Sequence, residues 1–218
     1  MNLALIQTQR TCIFMELSDN MKNKTLIELH ELIGGTDKHT THAFSYFYGP
    51  FLSPKRETAK KVLELGVSWL GSGDLEALGH YFPNAELHGV DIEPLVRVAK
   101  EHQAPNITFH QMDGYDPAQL DSAFGDTKWD LVLDDGPHTK ESQLFCLNYF
   151  HSKLAPRGVI LVEDVPPESI DFIVEGFEGD PRYISVVDRT RTPRIPYHND
   201  GRPCWNEYIL VYMPEVTD

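Results

Sequence analysis

Cysteine is scarce: Cys12, Cys146 and Cys204 are the only three in 218 residues. An odd number at wide, irregular spacing offers no disulfide framework and no zinc knuckle, and it predicts a reducing, cytoplasmic setting. Positive charge is short as well. Nineteen Lys and Arg stand against 33 Asp and Glu, a formal net charge of −14, which argues against partners such as nucleic acid or an anionic membrane surface. No apolar run approaches the roughly 18 residues of a membrane-spanning helix. The opening MNLALIQTQRTCIFMEL lacks the basic stretch and apolar core of a signal peptide. The dinucleotide fingerprint G-x-G-x-x-G is missing too, because Gly66 is followed by Val67 and Ser68; nicotinamide chemistry is disfavoured.

What is present is an ordinary globular composition, 41% hydrophobic and 24% charged, enough for a sizeable core. From residue 61 onward short apolar runs alternate with helical spacing. Strands are predicted at 61–67, 86–92, 106–113, 129–135 and 158–164, and helices at 74–83, 93–103, 117–124 and 140–154. Continuous apolar strands separated by helices indicate a parallel sheet covered on both faces. Two further strands, 182–188 and 206–213, bracket a Pro- and Arg-rich loop (189–205) and predict an antiparallel hairpin at the sheet edge. Before the sheet, residues 25–33 have helical spacing and 34–54 read as an ordered loop or cap. The expected division is a cap or lid over 1–58 and a sheet domain over 59–218.

Ligands of such sheets bind at the C-terminal strand ends. The turn after the first strand, with Glu64, Gly66, Ser68, Gly71 and Ser72, lets backbone approach a ligand. Asp91 ends the second strand, where a carboxylate suits ribose hydroxyls. Asp113 ends the third, in reach of an adenine amine, although it also reads as a turn residue before Gly114. No P-loop lysine follows the turn, so this acidic lining suits S-adenosylmethionine better than a nucleotide. At the fourth and fifth strand ends stand Asp134-Asp135 and Glu163-Asp164. Adjacent parallel strands lie about 4.8 Å apart, so Asp135, Glu163 and Asp164 would repel one another unless a hard cation such as Mg2+ held them. His138 follows across a Gly-Pro turn and is the candidate base. Asp134 is open between facing the cofactor and capping the turn, since neighbouring strand residues point opposite ways.

The ordered set E-L-G-V…G-S (64–72), V-D-I (90–92), Q-M-D (111–113), W-D-L-V-L-D-D (129–135) and L-A-P-R-G-V-I-L-V-E-D (154–164) resembles the class I S-adenosylmethionine-dependent methyltransferases. With G-T-D-K (35–38), D-D-G-P-H (134–138) and E-D (163–164), it resembles more narrowly the metal-dependent macrolide sugar O-methyltransferases and related cephalosporin-tailoring proteins. The resemblance implies a Rossmann-like, doubly wound, mostly parallel seven-stranded α/β sheet. It also implies bound S-adenosylmethionine and Mg2+, with methylation of a hydroxyl on a small natural product such as a sugar. Asp135 and His138 would be catalytic, and Asp135, Glu163 and Asp164 would hold the metal. Glu64, Gly66, Ser68, Ser72, Asp91, Asp113 and Asp134 would meet the cofactor. On the same footing Thr36, Asp37 and Lys38 would close over its methionine carboxylate, with His39, His42, Tyr46 and Tyr48 lining the acceptor pocket. Pro137 departs from the small residue expected there. The chain is also shorter than the macrolide enzymes, so their N-terminal oligomerisation domain would be missing or reduced. Exposed aromatics in the cap favour a homo-oligomer. A phenol, catechol or amine acceptor, or a non-catalytic cofactor-binding role, stays open.

Overall fold

Period-two alternation builds the centre of this molecule. The computed structural model describes residues 21–189 and 208–215, apart from positions 22, 41, 43 and 69. The apolar runs become strands β1 Lys61–Leu65, β2 Glu86–Asp91, β3 Ile107–Gln111, β4 Trp129–Asp134, β5 Leu154–Val165, β6 Ile184–Asp188 and β7 Tyr208–Tyr212. The helices are α1 Leu26–Ile33, α2 Ser45–Leu52, α3 Gly73–Tyr81, α4 Pro117–Phe124, α5 Lys140–Phe150 and α6 Ile170–Gly176. The described strands form one sheet in the order β3-β2-β1-β4-β5-β7-β6. Strands β1 to β5 pair in parallel, and β7 runs antiparallel between β5 and β6. The expected hairpin is present, with its second strand inserted one place in from the edge.

Each face of the sheet carries its own apolar layer. Val62, Leu131, Leu133, Val159 and Leu161 pack with α1, α2 and α3. Leu63, Leu65, Val132, Ile160 and Val162 pack with α5 and α6. Strand order reverses between β1 and β4, which makes the C-terminal ends of these two strands the natural site for a ligand. Helix α1 starts at a capping box between Thr25 and Glu28, and α5 starts at another between Thr139 and Ser142, immediately after His138.

Two expectations need correction. Residues 93–103 are not a helix: the segment is irregular, with one 3-10 turn at Lys100–His102. Pro94 disfavours helical backbone at Glu93, and the backbone bonds go elsewhere. Ser72 N–H donates to the Val96 carbonyl at 3.1 Å, and Val98 N–H donates to Ser72 Oγ at 3.1 Å. Arg97 and the Ala104 N–H both bind the buried Glu76. The stretch therefore lies along the turn before α3. Second, part of the predicted loop at 34–54 is helix α2, and α6 was not expected at all. The loop expected at 189–205 lies, beyond Arg189, outside the described residues. No helix among the described residues is long and apolar enough to cross a membrane.

Candidate active site at the strand ends

Gly66 turns the chain at the end of β1 with φ +83°, and a Cβ there would stand 2.1 Å from the Asp135 carbonyl oxygen. Only glycine allows this approach. It brings the β1 turn onto the β4 end, where Asp135 N–H donates to the Leu65 carbonyl at 2.8 Å. Two clefts open from this junction, and Gly66 and Asp135 line both.

The larger cleft holds about 450 Å3 and is walled by Leu65, Ser68, Asp91, Ile92, Asp113 and Tyr115. Asp91 is fixed by backbone donors: Oδ2 accepts Val67 N–H and Ser68 N–H at 2.9 Å, and Oδ1 accepts Glu93 N–H at 2.8 Å. Asp113 Oδ1 accepts Tyr115 N–H at 2.8 Å. The smaller cleft, about 40 Å3, is lined by Thr36, Lys38, Glu64 and Asp74 among others. The sequence-predicted residues Gly66, Ser68, Asp91 and Asp113 thus meet in one cleft, and Thr36, Lys38 and Glu64 in the other. Ser72 reaches neither; its hydroxyl is buried between Val98 and Glu76.

Alternation sorts the twin aspartates. Asp134 shares the Val132 face, where it is buried and accepts the Tyr115 hydroxyl and, at 3.3 Å, Gly136 N–H. It lines neither cleft, and burial raises its pKa to about 6. Asp135 turns the other way, toward Lys38, with Nζ to Oδ2 at 2.7 Å. Glu163 also reaches this side and pairs with the same ammonium. Burial raises both carboxyls to about 7 despite the lysine, and the neighbouring Asp164 adds to the rise. Burial works against the charge of Lys38 in turn, but Asp135 and Glu163 outweigh it and hold its pKa well above the ordinary value.

Strict alternation would send Asp164 away from Glu163. The β5–β7 register shifts between Val162 and Val165, and Asp164 adopts φ +50°; a bulge of this kind re-aims a side chain. His138 is left-handed as well, at φ +56°. These are residue types that tolerate the region better than most, yet each conformation is uncommon outside functional turns. His138 Nε2 stands 3.8 Å from Asp135 Oδ1 and 3.6 Å from Asp164 Oδ2. Burial lowers the His138 pKa, which keeps the imidazole neutral at neutral pH. Donor atoms of Asp135, His138 and Asp164 all fall within 4.8 Å of one another. Their gaps exceed hydrogen-bond length, and two carboxylates with an imidazole suit a divalent cation. The two carboxylates fit a metal with His138 beside them as a free imidazole, whereas Glu163 is engaged by Lys38.

The residues expected to form a lid divide. His42 bridges Asp37 (3.2 Å) and Asp164 (3.0 Å) and so ties the 35–42 segment to the β5 end. His39 stacks on His30. Tyr48 is buried against Phe44, out of reach of an acceptor, and Tyr46 is half exposed. Sequence reasoning missed Asp74, which passes for a first-turn helix acid. It also missed Tyr115, whose ring walls the cleft.

Residues 64–165 match the family model described as a methyltransferase domain. The chain is 31% identical over 137 residues to the 8-demethyl-8-alpha-L-rhamnosyl tetracenomycin-C 2'-O-methyltransferase of Streptomyces olivaceus, covering 60% of this chain and 35% of that protein. It is 27% identical over 130 residues to the demethylmacrocin O-methyltransferase of Streptomyces fradiae, covering 57% and 32%. The chain thus spans about a third of the length of these curated relatives. Among solved structures, MycE methyltransferase from the mycinamycin pathway, in complex with Mg, SAH and mycinamycin VI, superposes with TM-score 0.62 at 19% identity. That match covers 87% of this chain and 54% of MycE. A second MycE complex, with Mg and SAH, gives 0.58 at 24%, covering 73% and 41%. The chain thus shares its fold with these methyltransferases, and its residues 64–165 are similar to a methyltransferase domain.

Proposed function

We propose that the protein is an S-adenosylmethionine-dependent O-methyltransferase that uses a divalent cation, Mg2+ by preference, to methylate a hydroxyl of a small natural product, a sugar hydroxyl being the favoured acceptor. One observation carries the reading. The two clefts meet at Gly66 and Asp135, and the Asp135–His138–Asp164 cluster stands at that junction. The sugar-directed name of the Streptomyces olivaceus relative and the Mg and SAH of the MycE complexes point the same way.

The larger cleft is sized and lined for an adenosine, with Asp91 at its ribose end and Asp113 and Tyr115 at its base end. Bound there, S-adenosylmethionine supplies a methyl group activated on a sulfonium, and the cation supplies a Lewis acid that lowers an acceptor hydroxyl's pKa. Asp135 and Asp164 would hold the cation. His138, neutral at working pH, takes the hydroxyl proton at Nε2. Transfer would form the oxygen–methyl bond as the sulfur–methyl bond breaks, and His138 would hold the released proton. The surrounding acids favour a cationic ligand, while Lys38 offsets part of their charge.

The test is methyl transfer from labelled S-adenosylmethionine to glycosylated acceptors, with and without EDTA. Turnover lost on chelation and restored by Mg2+, together with Asp135→Ala at least about 10³-fold slower, is the expected result on the scale of metal and acid–base contributions. Lys38 already pairs with Asp135 and Glu163, which favours one second reading: a metal-free transfer to an amine. Undiminished turnover in EDTA, with an amine accepted, would establish that instead.

A further inference from the structure

Strand β5 brings Asp164 to the site by breaking its own pattern. The ladder with β7 skips Glu163 and Asp164 and resumes at Val165. A left-handed aspartate at φ +50° must then be held by something other than the sheet. Two residues reach it, one from each face.

From α5, the Gln143 side chain donates to the carbonyls of both Glu163, at 2.9 Å, and Asp164, at 3.2 Å. Two adjacent carbonyls take the two donors of one amide NH2. Gln143 is 1% exposed, a place where an unpaired amide would be costly, and this pair of bonds accounts for it. Its own N–H donates to the Thr139 carbonyl at 3.0 Å, and Thr139 caps α5 directly after His138. One turn of helix therefore fixes the base and the bulge together.

From the cap, His42 reaches the Asp164 side chain. Its Nδ1 stands 3.0 Å from Asp164 Oδ1 and its Nε2 3.2 Å from Asp37 Oδ2. The ring lies against Phe44, with centroids 5.2 Å apart. Arg189, just past β6, donates to the His42 carbonyl and stands over the same Phe44 ring at 4.2 Å. The two Asp164 oxygens thus have different neighbours: Oδ1 meets His42, and Oδ2 faces His138 at 3.6 Å.

We propose that His42 and Gln143 are positioning residues for Asp164. Gln143 fixes the backbone of the bulge, and His42 engages Oδ1 so that Oδ2 is presented to a divalent cation. Carboxylates that hold metals are themselves held in this way, and losing the support weakens metal binding. The proposal rests on the cation reading above and adds to it the part of the cap, which would complete the centre without supplying a ligand.

The test titrates Mn2+, which takes the same oxygen ligands as Mg2+, into the full chain and counts the free ion by paramagnetic resonance. Asp164→Asn keeps a residue suited to the left-handed turn and removes the charge, so it marks the binding that belongs to this site. His42→Phe and Gln143→Met should each bind Mn2+ about 10- to 100-fold more weakly than the wild type. His42→Asn, whose amide can place a donor near the Nδ1 position, should recover part of the loss. Affinity for 5′-methylthioadenosine, the cofactor without its amino-acid end, measured in EDTA, should stay within about twofold, because neither residue lines the larger cleft. A merely structural role would lower the melting temperature of these variants and leave Mn2+ affinity at the wild-type value. That result in His42→Phe overturns the proposal even where Gln143→Met does not fold, and leaves the cation reading standing. Mn2+ binding no tighter in the wild type than in Asp164→Asn overturns the cation reading itself, and the proposal with it.

Discussion

The two halves of the strand-end rim differ in how their acids are satisfied. On the β1–β3 side, Asp91 receives three backbone N–H groups and Asp113 one. These carboxylates are held by the loops that carry them, and the cleft they line is set before anything binds. On the β4–β5 side, Asp135, Glu163 and Asp164 crowd around Lys38, His42 and His138. Burial holds Asp135 and Glu163 near a pKa of 7, and two residues sit at positive φ. One half is completed by backbone and selects by shape. The other is left with charge and strain to share with what binds, as reacting groups require.

The sharpest way to break that contrast is to remove the base. With His138→Ala, methyl transfer should fall by about 10²–10⁴, the usual worth of a positioned general base. Affinity for S-adenosylhomocysteine should stay within about twofold, because the binding half is untouched. The pH profile adds a sign. On the proposed mechanism the neutral imidazole is the active form, and burial lowers its pKa, so the wild-type acid limb should lie below the ordinary histidine value of about 6.5. Activity should fall as pH drops through it, and be flat above it until another group titrates. Loss of cofactor affinity in step with turnover would mean the two halves are not separate.

How much of this was legible depended on whether a local pattern survived its neighbours. The strands and the Asp91 end followed from apolar runs. Asp134 and Asp135 could be told apart by alternation: Val132 with Asp134 on one face, Leu133 with Asp135 on the other. Asp164 could not be placed that way, because the bulge between Val162 and Val165 cancels the alternation. Residues 93–103 carry Leu95, Val96 and Val98 at helix-like spacing, but the turn before α3 takes their backbone bonds. Asp74 and His30 were hidden for a plainer reason. Each sits inside a well-formed helix, and only the packing of α1 on α3 brings them together.

Tyr115→Phe probes the seam between the halves at smaller amplitude. The ring would still wall the cleft, but Asp134 would lose the hydroxyl and keep the Gly136 N–H and the Cys146 thiol. A buried carboxyl stripped of one donor costs about 1–3 kcal/mol, a fall in melting temperature of several degrees for a chain of this size. Cofactor affinity should change little, and turnover should fall more, since Gly136 lies between Asp135 and His138. Unchanged stability would show that the hydroxyl does not secure Asp134.

The smallest expected effect asks whether the shape-selecting half is insulated from charge. His88 on β2 and His110 on β3 share a 3.1 Å contact, and His88 stands edge-on to Phe124 and Trp129. Burial first, then the charge of His110 and that of Lys61, lowers the His88 pKa to about 4, with only Glu86 opposing. The unfolded chain would bind the proton near pH 6.5, so between about 6.5 and 4 it carries more protons than the folded one. Stability must therefore fall as pH falls through that window. His88→Phe should flatten this part of the melting curve against pH. Any change in 5′-methylthioadenosine affinity between pH 7 and 5.5 should be the same in the wild type and His88→Phe, since the histidine pair lies outside the residues lining the cleft. A matching loss of affinity at pH 5.5 in the wild type, absent from His88→Phe, would mean that protonation of the pair reaches the cleft through β2 and Asp91.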